Sequence, residues 1–117
     1  MQHKIDFSQI TEKVSKGKDK EFITSLGGRE RGIDARKRLD LDQIENNFDE
    51  ILFIIPNYIS GFHTSFFAGL FSPSINKVGN DRQKFENKYK FQARDIVLDQ
   101  IDEAIDLCFM NENSEKL

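Results

Sequence analysis

The chain reads as a single α/β domain, an α/β sandwich in which a mixed β-sheet carries helices mainly on one face. Three observations predict this. An apolar, largely β-branched run, Ile51-Leu52-Phe53-Ile54-Ile55, has strand length and is stopped by Pro56, which has no backbone donor. Residues 95–110 place Val97, Ile101, Ala104, Ile105 and Cys108 on one helical stripe, with Asp99, Asp102, Glu103 and Asp106 largely off it. Between and before these, strand-like and helix-like stretches alternate along 117 residues, a length that suits one modest core.

Taken in order, Ile5 and Phe7 alternate and predict a short first strand. Residues 11–20 are polar and lysine-rich around Gly17, which predicts a loop or hairpin connection. Phe22, Ile23 and Leu26 predict a second strand over 21–26, broken by Gly27-Gly28. Residues 28–48 read mainly as helix, either one long helix or two broken near Asp40, with Ile33, Leu41, Ile44 and Phe48 near one face and Lys37 within that stripe. Asp42-Gln43-Ile44-Glu45 has capping-box spacing. The strand over 51–55 is expected to be central and buried on both faces, since all five residues are apolar. After the loop 57–63, Thr64-Ser65 opens a helix through Phe67, Ala68, Leu70 and Phe71, which Ser72-Pro73-Ser74 is expected to end. Residues 75–88 are polar with a Gly79-Asn80 turn signal, and Tyr89-Lys90-Phe91 predicts a last short strand. Residues 1–110 form the domain, and 111–117 a polar tail.

Composition narrows the function classes. The formal net charge of −3 argues against a nucleic-acid partner. No apolar run approaches the roughly 20 residues that span a bilayer, which points away from a membrane partner. The N-terminal residues lack the apolar stretch of a signal peptide, so the expected location is cytoplasmic. Cys108 is the single cysteine, and with only His3 and His63 beside it no metal-ligand spacing is present. No cofactor is expected.

Two stretches carry candidate chemistry. Thr64 and Ser65 are hydroxyls at a helix start, where they cap free backbone N–H groups; a phosphate there would also be tolerated by the helix dipole, making either residue a phosphoacceptor candidate. Tyr58, Phe62, His63 and Phe66 flank them and are the candidate partner-binding residues. The second stretch is Gly27-Gly28-Arg29-Glu30-Arg31-Gly32 with Arg36-Lys37-Arg38 beyond it. Gly28, Arg29, Arg31 and Arg36 are candidates for binding an anion, although the spacing matches neither a P-loop nor a dinucleotide fingerprint. A solvated charged face is the plainer reading of the same arginines. His63 beside Thr64-Ser65 has the look of a base next to a nucleophile, but no third group is identifiable, so an enzyme is not expected.

Gly28-Arg29-Glu30-Arg31-Gly32-Ile33-Asp34-Ala35-Arg36 resembles the early helix of the STAS-like domain family of bacterial proteins, with its arginine and glycine at the start and Ala/Leu-Arg a turn later. Ile59-Ser60-Gly61-Phe62-His63-Thr64-Ser65-Phe66-Phe67-Ala68-Gly69-Leu70-Phe71 is similar to that family's strand-exit motif, in which Ile-Ser leads to Ser-Phe-Ala and then Leu-Phe. The likeness spans about residues 21–110. Phe67 stands where a small residue is usual, His63-Thr64 alters the approach to the serine, and Pro56-Asn57-Tyr58 replaces a more typical Asp-Phe-like sequence. The resemblance implies an open sheet flanked by helices. It also implies the behaviour of anti-sigma factor antagonist STAS domains, which bind a GHKL-fold serine kinase and are phosphorylated at the start of the helix after the central strand. Ser65 best matches that position, with Thr64 next.

The expected function is therefore a non-enzymatic regulatory module that binds a protein through residues 57–63 and the exposed part of the following helix, the resemblance implying a GHKL-type kinase or ATPase as partner and Ser/Thr phosphorylation as the switch. The alternative is a phosphate- or nucleotide-binding protein using residues 27–38.

Overall fold

The computed structural model describes residues 2–14 and 20–115. The chain runs β1 (Gln2–Asp6), α1 (Ser8–Thr11), β2 (Glu12–Val14), β3 (Lys20–Phe22), β4 (Ser25–Leu26), α2 (Arg29–Arg38), α3 (Leu41–Asn47), β5 (Glu50–Ile54), β6 (Gly61–Phe62), α4 (Thr64–Lys77), α5 (Arg82–Lys88), β7 (Tyr89–Gln92) and α6 (Asp95–Glu115). This is the α/β architecture that the sequence predicts.

β5 is the central strand, parallel to β1 on one side and β7 on the other. The predominant sheet is thus parallel rather than mixed. Antiparallel pairing is confined, among the described residues, to β2 with β3, and a further short parallel pair joins β4 to β6. The register sets Ile5, Phe53 and Phe91 in one row and His3, Ile51 and Tyr89 in the next, all on the core face. Phe53 sits among Phe7, Phe71 and Phe91, with ring centroids 5.2–5.9 Å away, in edge-on and stacked arrangements.

The expectation that β5 is buried on both faces is corrected. Ile51, Phe53 and Ile55 are buried, while Leu52 and Ile54 are only half-buried. Their cross-strand neighbours explain this: Lys4 and Lys90 flank Leu52, and Asp6 and Gln92 flank Ile54, all four exposed polar residues.

The helix predicted over 28–48 is two helices. Asp40 breaks them in the left-handed region (φ 55°), and Leu41 restarts the chain as α3. The capping box does not form: Asp42 instead meets Arg36, and Glu45 points into the interior. The predicted apolar stripe of α2 is also corrected. Ile33 is 42% exposed, and the buried face is Gly32, Ala35 and Arg36. That face is small because the α4 backbone lies against it. A Cβ on Gly32 would stand 2.2 Å from the Phe66 carbonyl oxygen, and one on Gly69 2.1 Å from that of Arg29.

Ser72-Pro73-Ser74 does not end α4, which continues to Lys77 with Pro73 inside it. Pro73 removes the N–H that would have bonded the Gly69 carbonyl, while Arg36 of α2 donates to the Leu70 carbonyl and the Ser74 hydroxyl and so ties α4 to α2 on both sides of the proline. The turn at Gly79-Asn80 is present, both residues having positive φ, and α5 follows it, capped by Asp81 accepting from the Lys84 N–H. On α6, Val97, Ile101, Ala104 and Ile105 are buried and Cys108 is half-buried, while Asp99, Asp102, Glu103 and Asp106 are exposed, as the periodicity predicts.

Candidate functional site

The two stretches singled out in the sequence meet in space. β4 leads into Gly27-Gly28, and Gly28 takes φ 91°, a backbone conformation suited to glycine, to turn into α2. β6 runs parallel to β4 and leads through His63 into α4. The turn thereby aims the Gly28 N–H at the start of α4, where it donates to Ser65 Oγ at 3.1 Å. Ser65 is exposed, and Thr64 is half-buried at the first position of the helix. The expected hydroxyl-bearing helix start is therefore present, but Ser65 holds the neighbouring helix entry rather than capping its own helix.

His63 is exposed, and its Nε2 lies 3.1 Å from Ser25 Oγ. Its ring also packs on Gly27, whose added Cβ would come 3.0 Å from His63 Cδ2. The imidazole is thus engaged with β4 and with Ser25, not with Ser65. Ser25 was not a candidate from sequence, because a contact across 38 residues leaves no local signal.

The aromatic candidates are corrected. Phe62 and Phe66 are 1% and 2% exposed and belong to the core, their rings meeting edge to face 5.4 Å apart. Neither ring is presented to a partner. Their burial follows from alternation along β6 and from the inward face of the first turn of α4. Tyr58 is half-buried and its hydroxyl pairs with Thr11 Oγ1 at 2.6 Å, which ties the 57–63 loop to the end of α1.

The anion candidates divide. Gly28, Arg29 and Arg31 are exposed at the start of α2. Arg36 is corrected: it is buried, and its guanidinium is occupied internally. Nε donates to Asp42 Oδ1 at 2.9 Å, one terminal nitrogen donates to Leu70 O and Ser74 Oγ at 2.9 and 2.8 Å, and the other pairs with Glu45. Glu45 is fully enclosed and also receives Ser74 Oγ at 2.7 Å, the Tyr89 hydroxyl at 2.8 Å and Lys77 at 2.9 Å. Burial alone would raise the Glu45 carboxyl pKa. Hydrogen bonds from Lys77, Ser74 and Tyr89, with the charge of Arg36, outweigh it and hold the group below its ordinary value. Burial, with the adjoining carboxylate, pushes the Tyr89 hydroxyl well above its ordinary value. This cluster joins α2, α3, α4 and β7 and is satisfied within the fold, so it offers no open valence to an anion.

Among the described residues, no His/Cys/Asp/Glu group is arranged to hold a metal ion, and no helix is long and apolar enough to cross a membrane. No protein-family model matches the chain, and comparisons with curated proteins and with solved structures gave no match.

Proposed function

We propose that the protein is a non-enzymatic regulatory module that binds another protein at the exposed surface where α4 and α2 begin, with Ser65 as its phosphorylatable switch and Thr64 as the second candidate. The observation that carries this reading is the exposed Ser65 hydroxyl bonded to the Gly28 N–H at the head of a 14-residue helix. A phosphate on Ser65 would bring about −1.5 to −2 charges at neutral pH to that point. The N-terminal end of α4 favours negative charge, and the Gly28 N–H offers it a donor, so the fold tolerates the group. The partner surface, however, sees a change from a neutral hydroxyl to a dianion. Binding contacts formed by His63, Ser65, Arg29 and Arg31 are polar, and they are reset by that charge.

The resemblance to STAS-like domains supplies the partner class: a GHKL-fold serine kinase or ATPase, acting in the cytoplasm. The test is binding of that class of partner, recovered from the native host, to Ser65→Ala, Ser65→Glu and the Thr64 equivalents, together with phosphopeptide mapping. The alanine variants fold and bind, Ser65→Glu folds and binds more weakly, and phosphate maps to Ser65 or Thr64. Unchanged binding by every glutamate variant, with no phosphate at either residue, overturns the switch.

A further inference from the structure

A cleft of about 660 Å³ opens beside this surface, between α2 and the main chain of residues 24–27. Its floor is apolar and includes Ile10, Leu26, Ala35 and Phe66. Along α2 its rim carries Arg31 and Arg38 together with Glu30 and Asp34. The balance of two cations and two anions does not suit a phosphate or a nucleotide, whose multiple negative charges would meet carboxylates as well as guanidinium groups.

Ile23, Thr24, Ser25 and Gly27 complete the lining. The Gly61 N–H donates to Thr24 O at 3.3 Å and the His63 N–H to Leu26 O at 2.8 Å, so the carbonyls of Thr24 and Leu26 point toward β6. Carbonyl direction alternates along an extended chain, and in a parallel ladder of this register the Ser25 N–H and C=O point the other way. Two residues earlier the same edge is closed by the Ile23 N–H donating to Thr11 O at 2.8 Å. The cleft begins where that closure stops. Among the described residues β4 pairs with β6 alone, which leaves its outer edge without a strand.

We infer that this cleft docks an extended peptide segment of a protein partner, which adds as a strand along the free edge of β4. The inference rests on the partner-binding reading above and states how such a partner is held. An unpaired main-chain edge calls for an occupant with its own alternating donors and acceptors, which a peptide has. The apolar floor takes a side chain such as leucine from every second residue, and the mixed rim suits a segment with one basic and one acidic residue at its ends. β4 itself is two residues, and with the flanking Thr24 and Gly27 the edge, at about 3.3 Å per residue, engages a segment of roughly four to six residues.

The probe is a blocked hexapeptide alternating leucine and threonine between a terminal lysine and a terminal glutamate, titrated into the full-length ¹⁵N-labelled protein. Amide shifts should concentrate at Ser25, Gly27 and Ala35. A copy of the peptide with its edge-facing backbone nitrogens methylated should lose about tenfold or more in affinity. Ser25→Pro removes the outward N–H and should weaken binding similarly. Ser25→Ala keeps that N–H while losing the bond to His63, and should bind within about twofold of the parent. Arg38→Glu, on the exposed rim, supplies a second variant should Ser25→Pro fail to fold; it should weaken binding through the glutamate end. Equal binding of the methylated peptide, or absence of shifts at millimolar peptide, overturns the docking mode. A partner that responds to Ser65→Glu but is indifferent to Ser25→Pro and Arg38→Glu likewise rejects this cleft while leaving the switch intact.

Discussion

Gly69→Ala is expected to destabilise the protein, although glycine-to-alanine inside a helix ordinarily does the opposite. In a helix interior the change gains roughly 1 kcal/mol from propensity and from a less flexible unfolded chain. Against this stands the α2–α4 seam. The new Cβ would lie 2.1 Å from the Arg29 carbonyl oxygen and 2.9 Å from its carbon, where ordinary contact begins near 3.4 Å. The obstacle is backbone, so no side-chain rotation relieves it, and the helices must part by about 1.3 Å, the gap between those two distances. Overpacking of this kind costs typically 1–3 kcal/mol, and a backbone clash belongs at about 3 kcal/mol. Strain therefore wins by about 2 kcal/mol, which at roughly 4 °C per kcal/mol lowers Tm by about 8 °C.

The assay is urea and thermal unfolding followed by circular dichroism. Gly32→Ala should behave alike, since its Cβ would meet the Phe66 oxygen at 2.2 Å and the Leu70 nitrogen at 2.8 Å. The double variant should cost less than the sum of the singles, because helices already parted by one Cβ have room for the second. A Gly69→Ala protein with Tm equal to or above the parent refutes the seam.

Arg36→Met should destabilise by about 3 kcal/mol, because it removes the guanidinium facing the enclosed Glu45 carboxylate, and pairing it with Glu45→Leu should recover much of that loss in chemical denaturation. Glu45 is held below its ordinary pKa of 4.5, so its stabilising contribution is fully present above that pH and is lost as pH falls through the lower folded value; Glu45→Gln should flatten the acid limb of a stability–pH profile. Phe53→Ala should cost about 3–5 kcal/mol, whereas Ile54→Ala on the half-exposed face should cost about 1 kcal/mol, a contrast measured by the same unfolding curves.

What could be read from the sequence followed from local periodicity. The run 51–55 gave its strand and its central place, and α6 gave its buried stripe, because both patterns repeat at the period of the element that forms. The helix start at Thr64 was legible for the same reason, lying between an apolar strand and an apolar helical face. The inward face of α2 was not. It is built from Gly32, Ala35 and Arg36, and only the approach of α4 makes a glycine and an arginine core residues. Phe62 and Phe66 looked like a surface pair because they flank polar loop residues, yet β6 turns the first inward and the core-facing side of α4 the second. Pro73 looked like a stop because no local pattern shows that Arg36 of α2 holds α4 at Leu70 and Ser74, on both sides of it. Ser25, and the cleft beside it, arise from pairing across long separations that no local pattern records.

The position of Ser65 acquires its consequence from how α2 is held. At one end the Gly28 N–H meets Ser65 Oγ; in the middle Gly32 and Gly69 bring the two backbones together; beyond them Arg36 reaches the Leu70 carbonyl and Ser74 of α4. These contacts fall in order along both helices, so the seam has a rigid centre and one exposed, singly bonded end. Of the three, only the Gly28–Ser65 contact is exposed to solvent. A charge added at Ser65 therefore acts on the entry of α2, whose outer residues Glu30 and Arg31 line the neighbouring cleft. Arg36 and the glycine pair hold the far part of the helix in place. On the proposed reading, a phosphate at Ser65 would act where the two sequence motifs meet, at the entry of α2 and the start of α4.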